Sequence, residues 1–250
     1  MKYIVLPDTR DRRLTFYLAM EEYVVRHIDE PDALFLWQVS PSVIFGRNQV
    51  AENEVNIDYC NQNGISVYRR KSGGGCVYAD HDNLMWSFIM KSENVGFAFN
   101  RFLSMVLLVL RKMGIEAVGT RHNDILLPPL SPSGNAPQAG EQWRKVCGTA
   151  CYHLNGHSII HSTMLYDTNM EHMVHAITPD REKLQRKGVE SVRQRIALLK
   201  DYTTMTLDEV KTLIRDTLCQ GERLLTHDDV AAIEALEQAY QDEAFIKLYN

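Results

Sequence analysis

The 250-residue chain lacks the uninterrupted apolar run that a membrane span requires. Its most apolar stretch, Phe97 to Met113, is broken by Asn100, Arg101, Arg111 and Lys112. The opening MKYIVLPDTRDRR holds too short an apolar run for a secretory signal. Positive charge is not in excess: a formal net charge of -5 gives no general attraction to nucleic acid or anionic lipid, so any anion site must be local. Cysteine is sparse, with five residues scattered along the chain, an odd number that fits reduced thiols better than a disulfide scaffold. Internal repeats, a Walker A sequence, a G-x-G-x-x-G turn and the compact C-x-x-C pairs of a structural zinc site are all missing. These absences predict a cytoplasmic protein with no nucleic-acid and no membrane partner.

What is present is an ordinary globular composition, 45% hydrophobic and 24% charged, enough for one large domain with at most a small appendage. Apolar periodicity predicts helices over Leu14–Ile28, Val55–Asn63 (stopped by Gly64) and Phe97–Met113 (stopped by Gly114). Strands are predicted at Tyr3–Leu6, Ala33–Val39, Ser42–Phe45, Ile65–Tyr68, Cys76–Tyr78, Leu84–Met90, Ile115–Val118, Asp124–Leu127, Lys145–His153 and Ser158–Leu165. Pro128 to Gly140, PPLSPSGNAPQAG, reads as a long surface loop between strands. The last third turns helical: Asp167 is placed to cap a helix through Ile177, Thr206 with Glu209 forms a capping box, and Thr226 with Asp229 opens a final helix. Strands first and helices after predict an α+β fold with a mixed, largely antiparallel sheet flanked by helices.

Three motifs can carry chemistry. In Arg69-Arg70-Lys71-Ser72-Gly73-Gly74-Gly75-Cys76-Val77-Tyr78, the glycines allow close approach of backbone N–H groups to a ligand, and Arg70 and Lys71 add positive charge. Asn123-Asp124-Ile125 heads a strand; such a pair caps turns, or sets a carboxylate near a metal-nucleotide complex. In Arg144-Lys145-Val146-Cys147-Gly148-Thr149-Ala150, a core-facing Val146 would turn Lys145 to the opposite side of the sheet, with Gly148 and Ala150 leaving room beside it.

In order, these motifs resemble the signatures of the lipoate-protein ligase A family, within the biotin/lipoate protein ligases. Phe45-Gly46-Arg47-Asn48-Gln49 with Glu54-Val55-Asn56, Asn83 to Phe88, His161 to Leu165 and Lys187 to Arg193 extend the match colinearly over about residues 30 to 200. The resemblance implies a fold like that of biotin ligases and class II aminoacyl-tRNA synthetases. It implies a single catalytic domain over residues 1–250, without the accessory C-terminal domain of the two-domain ligases. It also implies ATP-dependent activation of lipoate to lipoyl-AMP, with Mg²⁺, and transfer to a lysine of a lipoyl domain or the glycine-cleavage H protein. Octanoate is an alternative substrate, and a separate small accessory protein an implied partner.

By position, the resemblance gives nucleotide contacts to Arg70, Ser72, Gly73, Gly74, Gly75, Cys76, Val77, Tyr78, Asn123 and Asp124. Lipoate contacts fall to Lys145, Gly74, Gly75, Gly148, Ala150 and His161. Lys145 is the catalytic residue, and Asp124 a candidate Mg²⁺ ligand. The chain departs from the family pattern at Ala79, Asp82 and Ile160-His161-Ser162, which bear on the acyl pocket more than on adenylation. Four other readings compete. One is a lipoyl or octanoyl transferase acting through a cysteine thioester, although the segment Arg121 to Asp124 holds no cysteine. A second uses only preformed lipoyl-adenylate. A third is a metal-binding module built on Cys147, Cys151, His153, His157 and His161. The last is a nonenzymatic lipoate binder.

Overall fold

The computed structural model describes residues 1–130, 142–178 and 195–246. In chain order its elements are β1 (Lys2–Val5), α1 (Leu14–His27), β2 (Asp32–Trp37), β3 (Ser42–Phe45), α2 (Ala51–Glu54), α3 (Ile57–Gln62), β4 (Ser66–Arg69), β5 (Val77–Ala79), β6 (Asn83–Met90), α4 (Val95–Lys112), β7 (Val118–Gly119), β8 (Ile125–Leu127), β9 (Arg144–Leu154), β10 (His157–Leu165) and α5 (Met170–Ala176). A 3-10 turn (Leu199–Tyr202), α6 (Leu207–Leu218), β11 (Glu222–Leu224), α7 (His227–Gln241) and α8 (Glu243–Ile246) follow.

The main sheet runs β11-β1-β2-β6-β10-β9-β8-β7. Only β1 pairs in parallel, with β2 and with β11; the remaining pairs are antiparallel. Strict alternation along β6 divides the core. Leu84, Trp86, Phe88 and Met90 join the layer of α4 and α6, whereas Met85 and Ile89 join the layer of α1 and α7. Both faces are therefore covered, and every residue of β6 is buried. The α4 helix shows why its sequence folds locally. Asn94 accepts a hydrogen bond from the Phe97 backbone at 2.9 Å, Ala98, Phe102, Val106 and Val109 recur at helical spacing and are buried, and Gly114 stops the helix at φ 77°. Each such fully buried large side chain contributes about 1.5–3 kcal/mol.

The α+β class, the antiparallel character of the sheet and both C-terminal capping boxes match expectation. Several boundaries do not. The helix expected over Val55–Asn63 begins only at Ile57, because the Asn56 side chain caps it by accepting from Tyr59 N, and Ala51–Glu54 forms a separate turn of helix. Asn169, not Asp167, caps α5; Asp167 pairs with Lys200 instead. Ile115–Val118 reduces to the two-residue β7. The exposed β11 carries no apolar alternation and was not predicted. Part of the proline-rich loop and the Lys187–Arg193 segment lie outside the described residues.

The glycine turn is also not a hairpin. β4 and β5 do not pair with each other; both flank β3, in the order β4-β3-β5, with β3–β4 parallel and β3–β5 antiparallel. The turn thus passes over the end of β3, where Arg70 N donates to Phe45 O at 3.0 Å and Arg47 N to Ser72 O at 2.9 Å. Gly46 lies directly beneath Gly74, so close that a Cβ there would overlap the Gly74 carbonyl.

Candidate active site

The cavity lies on the α1 side of the main sheet, and strand register explains which side chains reach it. His161 of β10 pairs with both Ser87 of β6 and Ala150 of β9, so all three project to one face, the face on which Ser87 meets Glu21 of α1. The neighbouring Trp37–Met85 pair extends the same wall. The resulting cavity, about 670 Å³, is apolar at one end, where Leu18, Trp37, Ile44 and Met85 line it. At its other end stand Gly74, Gly75, Asp124, Lys145, Gly148 and Arg195. A second cavity opens beyond, between Tyr78, Leu165, Met173, Ile177 and Ile196, and shares Gly75, Cys76, Val77, Lys145, Gly148, Thr163 and Arg195 with the first.

Lys145 stands at this junction because of an irregularity in β9. On β8, Ile125 pairs with Cys147 while its neighbour Leu126 pairs with Lys145, so β9 carries an extra residue, Val146. Simple alternation would put Lys145 on the same side as Cys147, which is fully buried in the α4 layer, and opposite Gly148 and Ala150. The bulge resets the alternation, so Lys145 shares the cavity with Gly148 and Ala150 while Val146 and Cys147 both stay in the core. The lysine ammonium lies 2.7 Å from Asp124 Oδ1, and Arg195 lies 3.6 Å from Oδ2. Asp124 is thus the counter-ion of two cations. Asn123 sits at φ 60° in the β7–β8 turn, and its carbonyl accepts from Thr149 Oγ1 at 2.7 Å, which ties that turn to β9.

The basic residues of the glycine turn behave differently from expectation. Arg70 is 4% exposed and spends its guanidinium inside the turn: Nε donates to Ser72 Oγ at 3.0 Å, Nη1 to Ile44 O at 3.1 Å, and Nη2 to Gly73 O at 2.7 Å and Gly75 O at 2.8 Å. Burial pulls its pKa down to about 10, still far above neutrality. Arg70 therefore braces the turn while adding a positive charge beneath it. Lys71, expected to add charge at the anion site, turns away to Glu22 at 2.5 Å and lies over the Tyr240 ring of α7. Arg69 bonds the carbonyls of Arg47, Gln49 and Ile246, which anchors α8 to the turn.

Of the residues expected at the site, Arg70, Gly74, Gly75, Cys76, Val77, Tyr78, Asp124, Lys145, Gly148, Ala150 and His161 line one or both cavities. Ser72, Gly73 and Asn123 line neither. The apolar end, Glu21 and Arg195 were missed. Leu18, Trp37 and Met85 read as ordinary core residues, and the one available signal for Glu21 was an acidic pair interrupting the mainly apolar middle of α1. The Cys/His group does not converge. Cys147 bonds Ser162, His153 bonds Ser158 and His157 bonds the Asn155 carbonyl; among the described residues no cluster suited to a metal ion forms. Burial pushes Cys147, Cys151 and Cys219 up to about 11 and raises Cys60 and Cys76 too, so each thiol stays protonated near neutral pH.

Comparison with known proteins accords with this geometry. The model of the lipoyl protein ligase A/B catalytic domain matches residues 14–219. Lipoate-protein ligase LplJ of Bacillus subtilis is 34% identical over 216 residues, 85% of this chain and 60% of that protein. The match therefore spans somewhat less than two thirds of that relative's length. Among solved structures, the bipartite lipoate protein ligase of Thermoplasma acidophilum, described with its E2 lipoyl domain, superposes with a TM-score of 0.80 at 26% identity, covering 100% of this chain and 97% of that one. Lipoate-protein ligase A bound with ATP gives 0.79 at 26% identity, covering 99% of each chain. With its glycine turn, bulged lysine strand and paired cavities in place, the chain belongs to the lipoyl protein ligase A/B family.

Proposed function

We propose that this protein activates lipoate with ATP and passes the lipoyl group to a lysine of an acceptor protein. One observation carries the reading: the Lys145 ammonium stands where an apolar cavity meets a second cavity beneath the glycine turn. The acyl chain would lie along Leu18, Trp37, Ile44 and Met85, with its carboxylate at Lys145. The nucleoside would occupy the second cavity, its phosphates near Gly75, which lines both cavities, and Gly74, which lines the first.

Both reactants are anions, so positive potential must be supplied where they meet. Lys145, Arg195 and the buried Arg70 charge provide it, and Asp124 keeps the lysine oriented. A lipoate carboxylate oxygen bonds to the α-phosphorus, and pyrophosphate leaves with the electron pair of the broken P–O bond. The neutral acceptor amine then attacks the acyl carbon; AMP departs with its electron pair, and the amine loses its proton. Positioning and electrostatics suffice for both steps. Mg²⁺ enters as MgATP. Both oxygens of Asp124 already face cations, which favours an ion carried on phosphate oxygens over one held by the protein.

Octanoate fits the same apolar end, which discriminates weakly between similar chains. Lipoyl domains or the glycine-cleavage H protein are the acceptors this reading requires, and the bipartite archaeal relative supports a separate small accessory protein as partner. A cytoplasmic location accords with described helices that are nowhere long and apolar enough to cross a membrane. The burial-raised cysteine pKa values disfavour a thioester transferase. The test incubates the protein with MgATP, lipoate and an apo lipoyl domain and weighs the product. Lipoylation dependent on ATP, with pyrophosphate released, is expected; transfer that proceeds equally well without ATP would refute the reading.

A further inference from the structure

A continuous hydrogen-bonded chain crosses the protein from the apolar end of the cavity to the glycine turn. Its centre is Glu21, on α1, which is fully buried. Ser87 donates to Glu21 Oε1 at 2.6 Å, and Trp37 Nε1 donates to Ser87 Oγ at 2.9 Å. His161 Nδ1 lies 3.1 Å from Glu21 Oε2, and His161 Nε2 lies 2.6 Å from Ser72 Oγ. Ser72 Oγ also accepts from Arg70 Nε, and Arg70 holds the carbonyls of Gly73 and Gly75.

Taking Glu21 as ionised and the His161 ring as neutral, counting donors assigns every proton. An ionised Glu21 only accepts, so Ser87 gives its proton to Oε1 and meets the Trp37 N–H with a lone pair. His161 must present N–H at Nδ1, which in the neutral ring leaves Nε2 as an acceptor. Ser72 donates there and keeps its remaining lone pairs for the Arg70 N–H. Turning the imidazole tautomer would point two N–H donors at Ser72 and leave the Ser72 proton without its acceptor.

Ser72, His161 and Glu21 have the connectivity of a hydrolytic triad. Burial decides against that use. Ser72 is 1% exposed and lines neither cavity, and its oxygen is already covered by Arg70, so no substrate carbonyl can reach it. We infer that Glu21 is instead a positioning residue for adenylation. It fixes the His161 tautomer; His161 holds Ser72; Ser72 and Arg70 together set the turn that faces the phosphates. His161 itself lines the cavity, so the acyl wall and the nucleotide turn share one strut. This inference rests on the ligase reading.

The test measures pyrophosphate release with MgATP and lipoate for wild type, Glu21→Gln, Ser72→Ala and the double variant, with thermal melts to check folding. Loss of a hydrogen bond to a charged group predicts a KM for ATP raised roughly 10- to 100-fold in each single variant. The KM for lipoate in Ser72→Ala should stay within about threefold, since Ser72 does not touch the cavity. The double variant should be no worse than the poorer single one, because both cut the same chain. A Glu21→Gln protein altered only in its KM for lipoate, or effects that multiply in the double variant, would overturn the inference. Should Glu21→Gln fail to fold, Ser72→Ala decides alone, and an unchanged KM for ATP refutes the strut. A wild type that releases no pyrophosphate overturns the ligase reading and this inference with it. A wild type that does, while both variants keep its KM for ATP, overturns this inference alone.

Discussion

Gly148→Ala is the sharpest perturbation the site offers, because it moves the Lys145 ammonium without touching it chemically. A Cβ at Gly148 would lie 2.5 Å from Lys145 Nζ and 2.6 Å from Cε, with Asp124 Oδ1 at 3.8 Å. Non-bonded contacts of this kind settle near 3.5–4.0 Å, so the ammonium must retreat by about 1 Å. It can do so cheaply, as the free end of a flexible side chain. The backbone of Gly148 is not in the left-handed region, so alanine is not strained there. The retreat, however, breaks the 2.7 Å contact with Asp124 and takes the charge from the junction of the two cavities. A misplacement of about 1 Å costs on the order of 100-fold in rate, equivalent to about 2.7 kcal/mol of barrier. Pyrophosphate release under saturating ATP and lipoate should fall by that factor, while the thermal midpoint shifts by no more than about 4 °C. Activity above half of wild type would refute the placement of Lys145. So would a melt lowered by tens of degrees, which would mean that the lysine cannot move and the strand is what breaks.

Four further outcomes follow from the same geometry. Lys145→Ala should lower adenylation about 100- to 1000-fold with the fold retained, measured by pyrophosphate release and melting; near-native turnover would remove the lysine from the mechanism. Gly46→Ala should behave oppositely to Gly148→Ala, since the added methyl meets the Gly74 backbone and not a mobile side-chain end; a loss of about 1–3 kcal/mol in urea unfolding is expected, along with weakened ATP binding. Tyr240→Phe leaves Glu22 and Lys71 paired but removes the hydroxyl bonded to Glu22, so stability should drop by about 1–3 kcal/mol; an unchanged unfolding midpoint would show that α7 does not brace the turn. Iodoacetamide at neutral pH should label Cys76 and Cys147 only slowly and leave lipoylation intact, and an acyl thioester found on either cysteine by mass spectrometry would favour the transferase reading instead.

Local signals carried the elements whose causes are local. The spacing of Phe102, Val106 and Val109, the caps at Thr206 and Thr226 and the stop at Gly114 each depend on residues within two turns of one another, and each matched. Where neighbouring residues offered one role, only the tertiary structure shows which fills it: Asn169 caps α5, while Asp167 pairs with Lys200.

The colinear motifs were enough to identify the family, because the glycine turn and the small residues around Lys145 are fixed by what must approach them closely. Lys145 reached the cavity for a reason that alternation alone could not supply. The extra residue Val146 is visible only against its partner strand β8, since a bulge is a property of a pair and not of one strand. Likewise Arg70 and Lys71 are equally basic in sequence, yet one braces the turn and the other leaves for Glu22 and Tyr240, partners far along the chain. Glu21 entered the site from α1 for the same reason. A periodic pattern specifies which face of an element is buried, while the identity of what covers that face is set by the packing of distant segments.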